Sequence, residues 1–300
     1  MTATGVLVMA YGTPTGLDDV ESYYTNILGR RPPEHLLEEL KARYAAIGGR
    51  SPLYEITLAQ AQGIGERLGL PVYVGQKFNH PFIAEAVERA AADGIQRLVG
   101  LVLAPHYSSL SIGDYRRRAH QAAEACGYQG SIEVIGSWHL EPGYVSLLAG
   151  YVQSALASLS DRARAEATVV FTAHSLPERI VAEGDPYPKQ LAETADAVAA
   201  EAGLRRYTTG WQSAGRTPEP WLGPDLLEVL AELAADGARA AVVCPCGFVA
   251  DHLEVLYDVD IEARAAAEEL SLELVRTASP NDDPAFLDTL AGVVRRALTA

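Results

Sequence analysis

Short apolar runs alternate with longer segments of helical periodicity along the chain. The runs are rich in Val, Leu and Ile and are bounded by Gly, Pro or polar residues, which is typical of buried β-strands. In the segments between them, apolar residues recur every three to four positions, which indicates amphipathic helices. The predicted strands are residues 6–10, 72–74, 98–103, 132–135, 168–172, 206–209, 240–243 and 272–275. The predicted helices include 34–47, 82–93, 114–125, 144–159, 187–202, 224–236 and 284–298.

The order of these segments contains a faint internal repeat. The matching segments are VLVMAYGTP at 6–14 with TVVFTAHSLP at 168–177, LVLAPHYSSLSIGDY at 101–115 with AVVCPCGFVADHLEVLY at 241–257, and GQKFNHP at 75–81 with GWQSAGRTPEP at 210–220. Strands that alternate with helices form parallel sheets covered by helices on both faces. We therefore predict an α/β fold of two doubly wound halves, each with a four-stranded parallel sheet, that face each other.

The strand ends predict where a ligand binds. In doubly wound sheets, ligands lie outside the carboxyl ends of the strands. The cleft should therefore be lined by Tyr11, residues 75–80, His106, His174 and Gln212, together with an acidic helix. No Gly-x-Gly-x-x-Gly or Walker loop follows a predicted strand, so a site for nucleotide phosphates has no support.

The acidic helix follows the predicted strand 240–243. Its carboxylates Asp251, Glu254, Asp258 and Glu262 recur at steps of three and four, which places them on one helix face. Like charges at this spacing each cost about 0.2–0.5 kcal/mol, and no Lys or Arg lies between residues 239 and 264. Either a cation outside the helix offsets the repulsion, or the face is simply solvated.

His174 follows a predicted buried strand and precedes a Ser-Leu-Pro loop. If it faces Glu254 across the cleft, the two side chains form a nitrogen and oxygen site suited to Fe(II), Zn(II) or Co(II). A Ser-His-acid hydrolase is the competing interpretation. It lacks the Gly-x-Ser-x-Gly turn, and Ser175 is adjacent to His174 in sequence, which does not suit a catalytic triad.

Composition narrows the classes of partner. The 300-residue chain has a net charge of −15, which argues against nucleic acid and anionic lipid as partners. No apolar run is long enough for a signal peptide or a transmembrane helix, so we expect a cytoplasmic protein without stable membrane insertion. Three cysteines, Cys126, Cys244 and Cys246, fit reduced buried thiols better than an iron–sulfur cluster.

Six segments, in order, carry a resemblance to a known family. They are LVMAYGTP, RYAAIGGRSPL, TAHSLPERI, GDPYPKQL, GWQSAGRTPEPWLGP and GFVADHLEVLYD. From about residue 5 to the C terminus the chain resembles the ferrochelatases, and specifically the bacterial branch that metallates coproporphyrin III. The resemblance implies two Rossmann-like domains with a porphyrin cleft between them. The last helix would return to the first domain, which gives domains of 1–145 plus 276–300 and of 146–275.

The resemblance also implies roles for individual residues. His174 and Glu254 become the catalytic pair that handles the metal and the pyrrole protons, with Tyr11 on the other face of the porphyrin. Asp258 and Glu262 continue a metal-binding ridge from that pair. The remaining matches hold propionates or lie near them, and they are Thr13, Arg30, Arg43, Ser51, Tyr115 and Ser213.

The expected activity is insertion of Fe(II) into coproporphyrin III, which releases two protons and yields Fe-coproporphyrin for haem biosynthesis. Fe(II) is then a substrate, and no cofactor or iron–sulfur cluster is expected. We expect a monomer that contacts neighbouring enzymes of haem biosynthesis transiently. Three alternatives stay open: a ferrochelatase that uses protoporphyrin IX, a cobalt or nickel tetrapyrrole chelatase, and a non-catalytic carrier of haem or porphyrin.

Overall fold

The computed structural model describes residues 3–299, whose strands form two four-stranded sheets. The strands are β1 (Thr4–Ala10), β2 (Val72–Gln76), β3 (Arg97–Val102), β4 (Ser131–Val134), β5 (Thr168–His174), β6 (Tyr207–Gln212), β7 (Ala240–Cys244) and β8 (Glu273–Arg276). All pairings are parallel, in the orders β2-β1-β3-β4 and β6-β5-β7-β8. The predicted strands and the two-sheet α/β architecture are confirmed, with small shifts at the strand ends.

Helices connect the strands and cover both sheets. They are α1 (Val20–Leu28), α2 (Glu34–Ala46), α3 (Leu53–Leu68), α4 (Ile83–Ala92), α5 (Ile112–Cys126), α6 (Pro142–Ser158), α7 (Asp161–Glu166), α8 (Arg179–Ala182), α9 (Tyr187–Ala202), α10 (Leu226–Ala235), a π-helix (Glu254–Ala263), α11 (Arg264–Glu269) and α12 (Pro284–Thr299). A short 3₁₀ helix, Leu17–Asp19, precedes α1. None of the helices within residues 3–299 combines the length and the apolar character needed to cross a bilayer.

One apolar core runs through both halves of the molecule. It contains Val8 of β1, Val152 of α6, Phe171 of β5 and Phe286 of α12, all fully buried. The sheet strands in this core are apolar on both faces because helices cover both sides. The halves therefore pack as one body around a shared interior.

The domain boundaries stay a prediction. The predicted boundary between residues 145 and 146 falls inside α6, and the one at 275–276 falls at the end of β8. Helix α12 contacts α3 and β3 of the first half, as the resemblance implies, and it also contacts α6. The Arg67 Nε atom on α3 lies 2.5 Å from Asp288 Oδ1 on α12, which adds an ion pair to that contact.

Helices α1 and α2 form a hairpin at the edge of the first half with a small core of its own. That core consists of Val20, Leu37 and Tyr44. Leu253, which immediately precedes the π-helix, packs against the same cluster. The hairpin is therefore joined to the rest of the protein by fewer buried apolar side chains than the sheets are.

The internal repeat extends to the loops that follow the second strand of each half. Gln76 N donates to Pro81 O at 2.7 Å, and Trp211 N donates to Pro224 O at 3.0 Å. Each loop then enters a helix whose third residue is a glutamate that accepts from a backbone N–H three residues earlier, as in a capping box. Equivalent strand exits therefore direct equivalent loops towards the space between the sheets.

Candidate active site

A cleft of about 920 Å³ lies at the carboxyl ends of the strands, between the two halves. Its volume is at the upper end of the roughly 300–1,000 Å³ found for small-molecule sites. Of the predicted lining segment 75–80, only Lys77 and Phe78 reach this cleft, so that part of the prediction is wrong. The residues that were assigned roles from the sequence all line it. They are Tyr11, Thr13, Arg30, Arg43, Ser51, Tyr115, His174, Ser213, Glu254, Asp258 and Glu262. The structure thus brings them together, whereas their individual roles stay predictions.

His174 and Glu254 are in direct contact inside the cleft. His174 is the last residue of β5, and Glu254 is the first residue of the π-helix that follows the neighbouring strand β7. The His174 Nδ1 and Glu254 Oε2 atoms are 2.8 Å apart. The two side chains are 36% and 27% exposed, so both can be reached from the cleft. Because a carboxylate can only accept, Nδ1 carries the proton in this contact and Nε2 is the nitrogen left for chemistry.

Each member of this pair stabilises the charged form of the other. Burial alone would lower the pKa of His174, but the Glu254 carboxylate outweighs it and raises the pKa above the ordinary histidine value. Burial would raise the pKa of Glu254, but His174, together with His252, holds it at about 2. Neutral His174, the form that can accept a proton or bind a metal, therefore forms only as the pH rises through this raised pKa.

The ridge of carboxylates differs from the prediction at its first member. Asp251 precedes the π-helix and lies in a loop, so its assignment to the same helix face as Glu254 is wrong. Ser279 Oγ donates to Asp251 Oδ1 at 2.7 Å, and Asn281 Nδ2 donates to Oδ2 at 3.0 Å. Arg276 Nη1 completes this set at 3.3 Å from Oδ1. Asp251 therefore anchors the loop and leaves three carboxylates on the ridge: Glu254, Asp258 and Glu262.

The Asp258 carboxylate of the ridge has two protein partners. Arg43 Nη1 lies 3.5 Å from Asp258 Oδ1, and Ser213 Oγ donates to Asp258 Oδ2. Burial and the nearby Glu254 nevertheless raise the pKa of Asp258 to about 7, against the opposing effect of Ser213 and Arg43. Asp258 therefore changes charge near neutral pH.

No three His, Cys, Asp or Glu side chains within residues 3–299 converge closely enough to hold one metal ion. The predicted metal ligands His174, Glu254, Asp258 and Glu262 are accordingly spread along the π-helix and the end of β5 rather than grouped as a chelate. π-Helical turns are rare and often occur at functional sites. Handling of metal by these residues one after another stays a prediction.

Aromatic rings from the first half line the opposite part of the cleft. The Tyr11 side chain, just after β1, is 42% exposed and packs edge-on against Phe78 with ring centroids 4.8 Å apart. The Tyr115 ring is buried, and Lys77 Nζ lies 5.2 Å from its centroid. The same Lys77 Nζ atom forms an ion pair with Asp114 Oδ2, 2.5 Å away. The rings are thus held over a buried ion pair, a cation–π arrangement that fixes the wall on which a flat ligand would rest.

The predicted propionate contacts come from several elements. Thr13 and Ser51 are buried; the Thr13 Oγ1 and Tyr44 hydroxyl oxygens are 3.3 Å apart, and Ser51 Oγ accepts from Leu53 N at 3.2 Å. Arg30 is exposed at the edge of the cleft. The site therefore offers both hydroxyl and guanidinium donors on the side formed by α1, α2 and the loop before α3.

An ion pair of the cleft was missed by sequence reasoning. Glu39 on α2 and Arg216 in the loop after β6 both line the cleft and form an ion pair with each other. Arg216 lies within the GWQSAGRTPEP segment, and Glu39 precedes Arg43 by one helical turn, which are the signals that could have identified them. Their contact joins positions 177 residues apart, which no local pattern predicts.

Comparison with known proteins places the chain among porphyrin-metallating enzymes. The ferrochelatase family model matches residues 3–298. Coproporphyrin III ferrochelatase of Geobacillus kaustophilus is 49% identical over 97% of this chain and 94% of its own length, and that of Oceanobacillus iheyensis is 44% identical over 97% and 96%. The structure of SirB from Bacillus subtilis with Fe3+ aligns with a TM-score of 0.64 at 12% identity over 99% of this chain and 95% of that one. This last likeness concerns the fold alone.

Proposed function

This chain belongs to the ferrochelatase family, and we propose from that membership and from its cleft that it inserts Fe(II) into coproporphyrin III. The observation that carries the proposal is the contact between His174 Nδ1 and Glu254 Oε2, 2.8 Å apart in a cleft large enough for a flat macrocycle. The full-length identity to coproporphyrin III ferrochelatases supports the choice of porphyrin.

Metal insertion replaces two pyrrole protons of the free porphyrin by one Fe(II), and the protons must leave the ring. Neutral His174 accepts one pyrrole proton through Nε2, and Glu254 stabilises the imidazolium that results. His174 passes this proton to water in the open cleft and then accepts the second. Glu254 also offers an anionic oxygen to the arriving metal, which compensates for the water that the metal loses. Proton removal and metal delivery therefore take place at one pair of side chains.

The rest of the cleft holds the porphyrin. Apolar and aromatic walls, including Tyr11, favour a ring that is distorted so that its nitrogen lone pairs become accessible. The distortion costs free energy, which binding of the remote propionates offsets. Arg43, Ser51 and Thr13 provide donors for those propionates on one side of the cleft.

We further propose that the protein acts as a cytoplasmic monomer without a cofactor and that it contacts other enzymes of haem biosynthesis transiently. The strongly acidic net charge of −15 supports a location away from anionic lipid surfaces. The absence from the sequence of any cysteine cluster beyond Cys126, Cys244 and Cys246 supports a protein that needs no iron–sulfur centre.

An anaerobic assay with Fe(II) and two porphyrins, side by side, tests the proposed function. We expect metallation of coproporphyrin III to be faster than metallation of protoporphyrin IX. The same assay with Co(II) and Ni(II) tests for a different chelatase. Tight haem binding without metallation of either porphyrin would instead indicate a carrier.

Replacement of Arg43 by alanine is expected to weaken binding of coproporphyrin III by about 10- to 100-fold, since a hydrogen bond to a charged group contributes about 1.5–3 kcal/mol. The measurement is a fluorescence titration of porphyrin without metal. Arg50→Ala is the matched control, because Arg50 is an exposed arginine of the adjacent loop, paired with Glu55, that does not line the cleft. Equal affinity of the parent protein for coproporphyrin III and its tetramethyl ester would contradict this role.

Replacement of Asp258 by asparagine is expected mainly to raise the Fe(II) concentration needed for half-maximal turnover. Asp258 lies one helical turn beyond Glu254, so it is placed to deliver the metal rather than to act on the porphyrin. Rates measured against Fe(II) concentration at saturating porphyrin check this expectation. If Asp258 is only part of a solvated helix face, Asp258→Asn would leave these rates unchanged, which would contradict a role in metal delivery.

The same variant should also change how stability depends on pH. Because burial and Glu254 raise the pKa of Asp258 to about 7, the native state binds more protons than the unfolded state between the ordinary aspartate pKa and that value. Parent stability therefore falls as the pH rises through this window, and Asp258→Asn removes the loss. The variant should gain more in Tm over the parent at pH 8 than at pH 5.

A further inference from the structure

Four charged side chains form a chain across one side of the cleft. In order they are Asp258, Arg43, Glu39 and Arg216, which we call the cross-cleft chain. Arg43 and Glu39 belong to α2 of the first half, whereas Asp258 and Arg216 belong to the second half. All four line the cleft. Their charges alternate, so each arginine is within reach of a carboxylate.

The contacts along the cross-cleft chain are unequal. Both oxygens of Glu39 bind Arg216, with Nη1 at 2.5 Å from Oε2 and Nη2 in contact with Oε1. Arg43 Nη2 lies 3.5 Å from Glu39 Oε1, and Arg43 Nη1 lies 3.5 Å from Asp258 Oδ1. Charge-assisted hydrogen bonds are usually about 2.7–2.9 Å long. Glu39 is therefore committed to Arg216, whereas Arg43 has two weak contacts.

The position of Glu39 on α2 would favour a different pairing. Glu39 and Arg43 are separated by four residues, with the glutamate nearer the N terminus, which is the favourable order for an ion pair on a helix. The Arg216 guanidinium binds both carboxylate oxygens of Glu39 and so competes with Arg43 for this glutamate. Arg43 is meanwhile held in place by the Tyr257 ring, 4.9 Å from its Cζ atom.

We propose that Arg216 is a positioning residue for substrate binding: it engages both oxygens of Glu39, limits the contact between Glu39 and Arg43 to 3.5 Å, and so keeps the Arg43 guanidinium available for a substrate carboxylate. This inference rests on the proposed function, in which Arg43 binds a propionate. Without Arg216, Glu39 would form a closer ion pair with Arg43 and compete with the substrate carboxylate for the Arg43 guanidinium. Arg216 acts through this exchange and does not itself contact the porphyrin.

The expected effect is modest because the Arg216–Glu39 pair is exposed. Their side chains are 54% and 39% accessible, and an exposed ion pair typically changes an equilibrium by about twofold to fivefold. The effect should shrink at high salt, where such pairs are screened. It should appear in the Kd and KM for the porphyrin and not in kcat.

A double-mutant cycle tests the inference with coproporphyrin III alone as the ligand, followed by fluorescence in the absence of metal. Arg216→Gln is expected to weaken binding about twofold to fivefold. Glu39→Gln should bind at least as tightly as the parent. In the double variant the loss should disappear, because the Glu39 carboxylate can no longer compete for Arg43. This rescue is a readout that a merely structural role of Arg216 would not give.

Arg179→Gln is the matched control. Arg179, the first residue of α8, forms an exposed ion pair at 3.2 Å with Glu219, which lies in the same loop as Arg216. Neither Arg179 nor Glu219 lines the cleft. Normal binding by Arg179→Gln, with unchanged Tm for all variants, supports a specific role for Arg216. Three results would overturn the inference. Arg179→Gln could weaken binding as much as Arg216→Gln does, or the double variant could bind as poorly as Arg216→Gln. The third is an Arg216→Gln variant that binds like the parent.

The binding cycle separates failure of this inference from failure of the proposed function. A parent protein that binds coproporphyrin III but does not metallate it would overturn the proposed enzyme, while the four binding constants would still report on Arg216. Conversely, active enzyme with no loss in Arg216→Gln would overturn the inference alone. Arg216→Lys keeps the positive charge but cannot bind both Glu39 oxygens as a guanidinium does. We therefore expect its affinity for coproporphyrin III to lie between those of the parent and Arg216→Gln.

Discussion

His174→Ala is expected to reduce iron insertion by at least about 100-fold, the lower end of the usual contribution of a general acid or base. Without the imidazole, Glu254 loses the proton acceptor that lies 2.8 Å from its carboxylate. Porphyrin binding should persist, since the aromatic walls and the propionate donors are untouched. The rate is measured with Fe(II) under anaerobic conditions, and binding is measured by fluorescence without metal.

His80→Ala is the matched control for this variant. His80 also pairs with a glutamate, with its Nδ1 atom 2.9 Å from Glu85 Oε2, but its side chain is exposed and does not line the cleft. The control should keep parental activity. Thermal stability of His174→Ala should remain near that of the parent, because the cleft lets water reach Glu254. Near-parental turnover in His174→Ala, or loss of the fold, would show that the assigned role is wrong.

Glu254→Gln is expected to lower kcat at saturating metal and to move the acid limb of the pH–rate profile to lower pH. In the parent protein the carboxylate raises the pKa of His174, so neutral base forms only at higher pH. In the variant the largest effect that raises this pKa is lost, and burial then lowers the pKa of His174 against the smaller opposing effect of Asp258. Zn(II), which has no redox chemistry, serves as the test metal over the whole pH range.

The control for Glu254→Gln is Glu262→Gln, which removes the same charge from the exposed far end of the ridge. It should leave the acid limb where it is, because Glu262 is not in contact with His174. Metal-free Glu254→Gln should not be more stable than the parent, since the variant loses the ion pair along with the repulsion from Asp258. If the acid limb of Glu254→Gln stayed at the parental pH, the titration seen in the pH–rate profile would not be that of His174.

The fold and the centre of the site were predictable from the sequence because both follow from local patterns. Apolar runs of strand length that alternate with amphipathic segments indicate parallel sheets, and the carboxyl ends of such strands meet in one place. His174 and Glu254 were considered from the sequence as a pair that faces across the cleft, whereas the structure places them side by side at the ends of the neighbouring strands β5 and β7 of one sheet. The 2.8 Å contact between them required the structure.

Other features were not predictable because they depend on contacts distant in sequence. Asp251 has the spacing of the acidic ridge, but Arg276 and Asn281, about thirty residues later, hold it in a loop. A spacing of four also fits an α-helix and a π-helix equally well, so the π-helical turn leaves no signature in the pattern. The cross-cleft chain joins charged side chains of the two halves, and hydrophobic periodicity carries no information about such pairs.

The network around Asn281 has a consequence for how the two halves are joined around the cleft. Gln60 Nε2 on α3 donates to Val249 O at 3.2 Å and to Asn281 O at 2.7 Å, and Asp251 N donates to Asn281 Oδ1 at 2.8 Å. These bonds tie the floor of the cleft to both halves, so parting the halves there would break several buried bonds together. At the rim of the cleft the α1–α2 hairpin meets the second half through Leu253 and through the ion pairs of Glu39 and Arg43. Amide hydrogen bonds thus join the two halves at the floor, whereas charge pairs that salt screens join them at the rim.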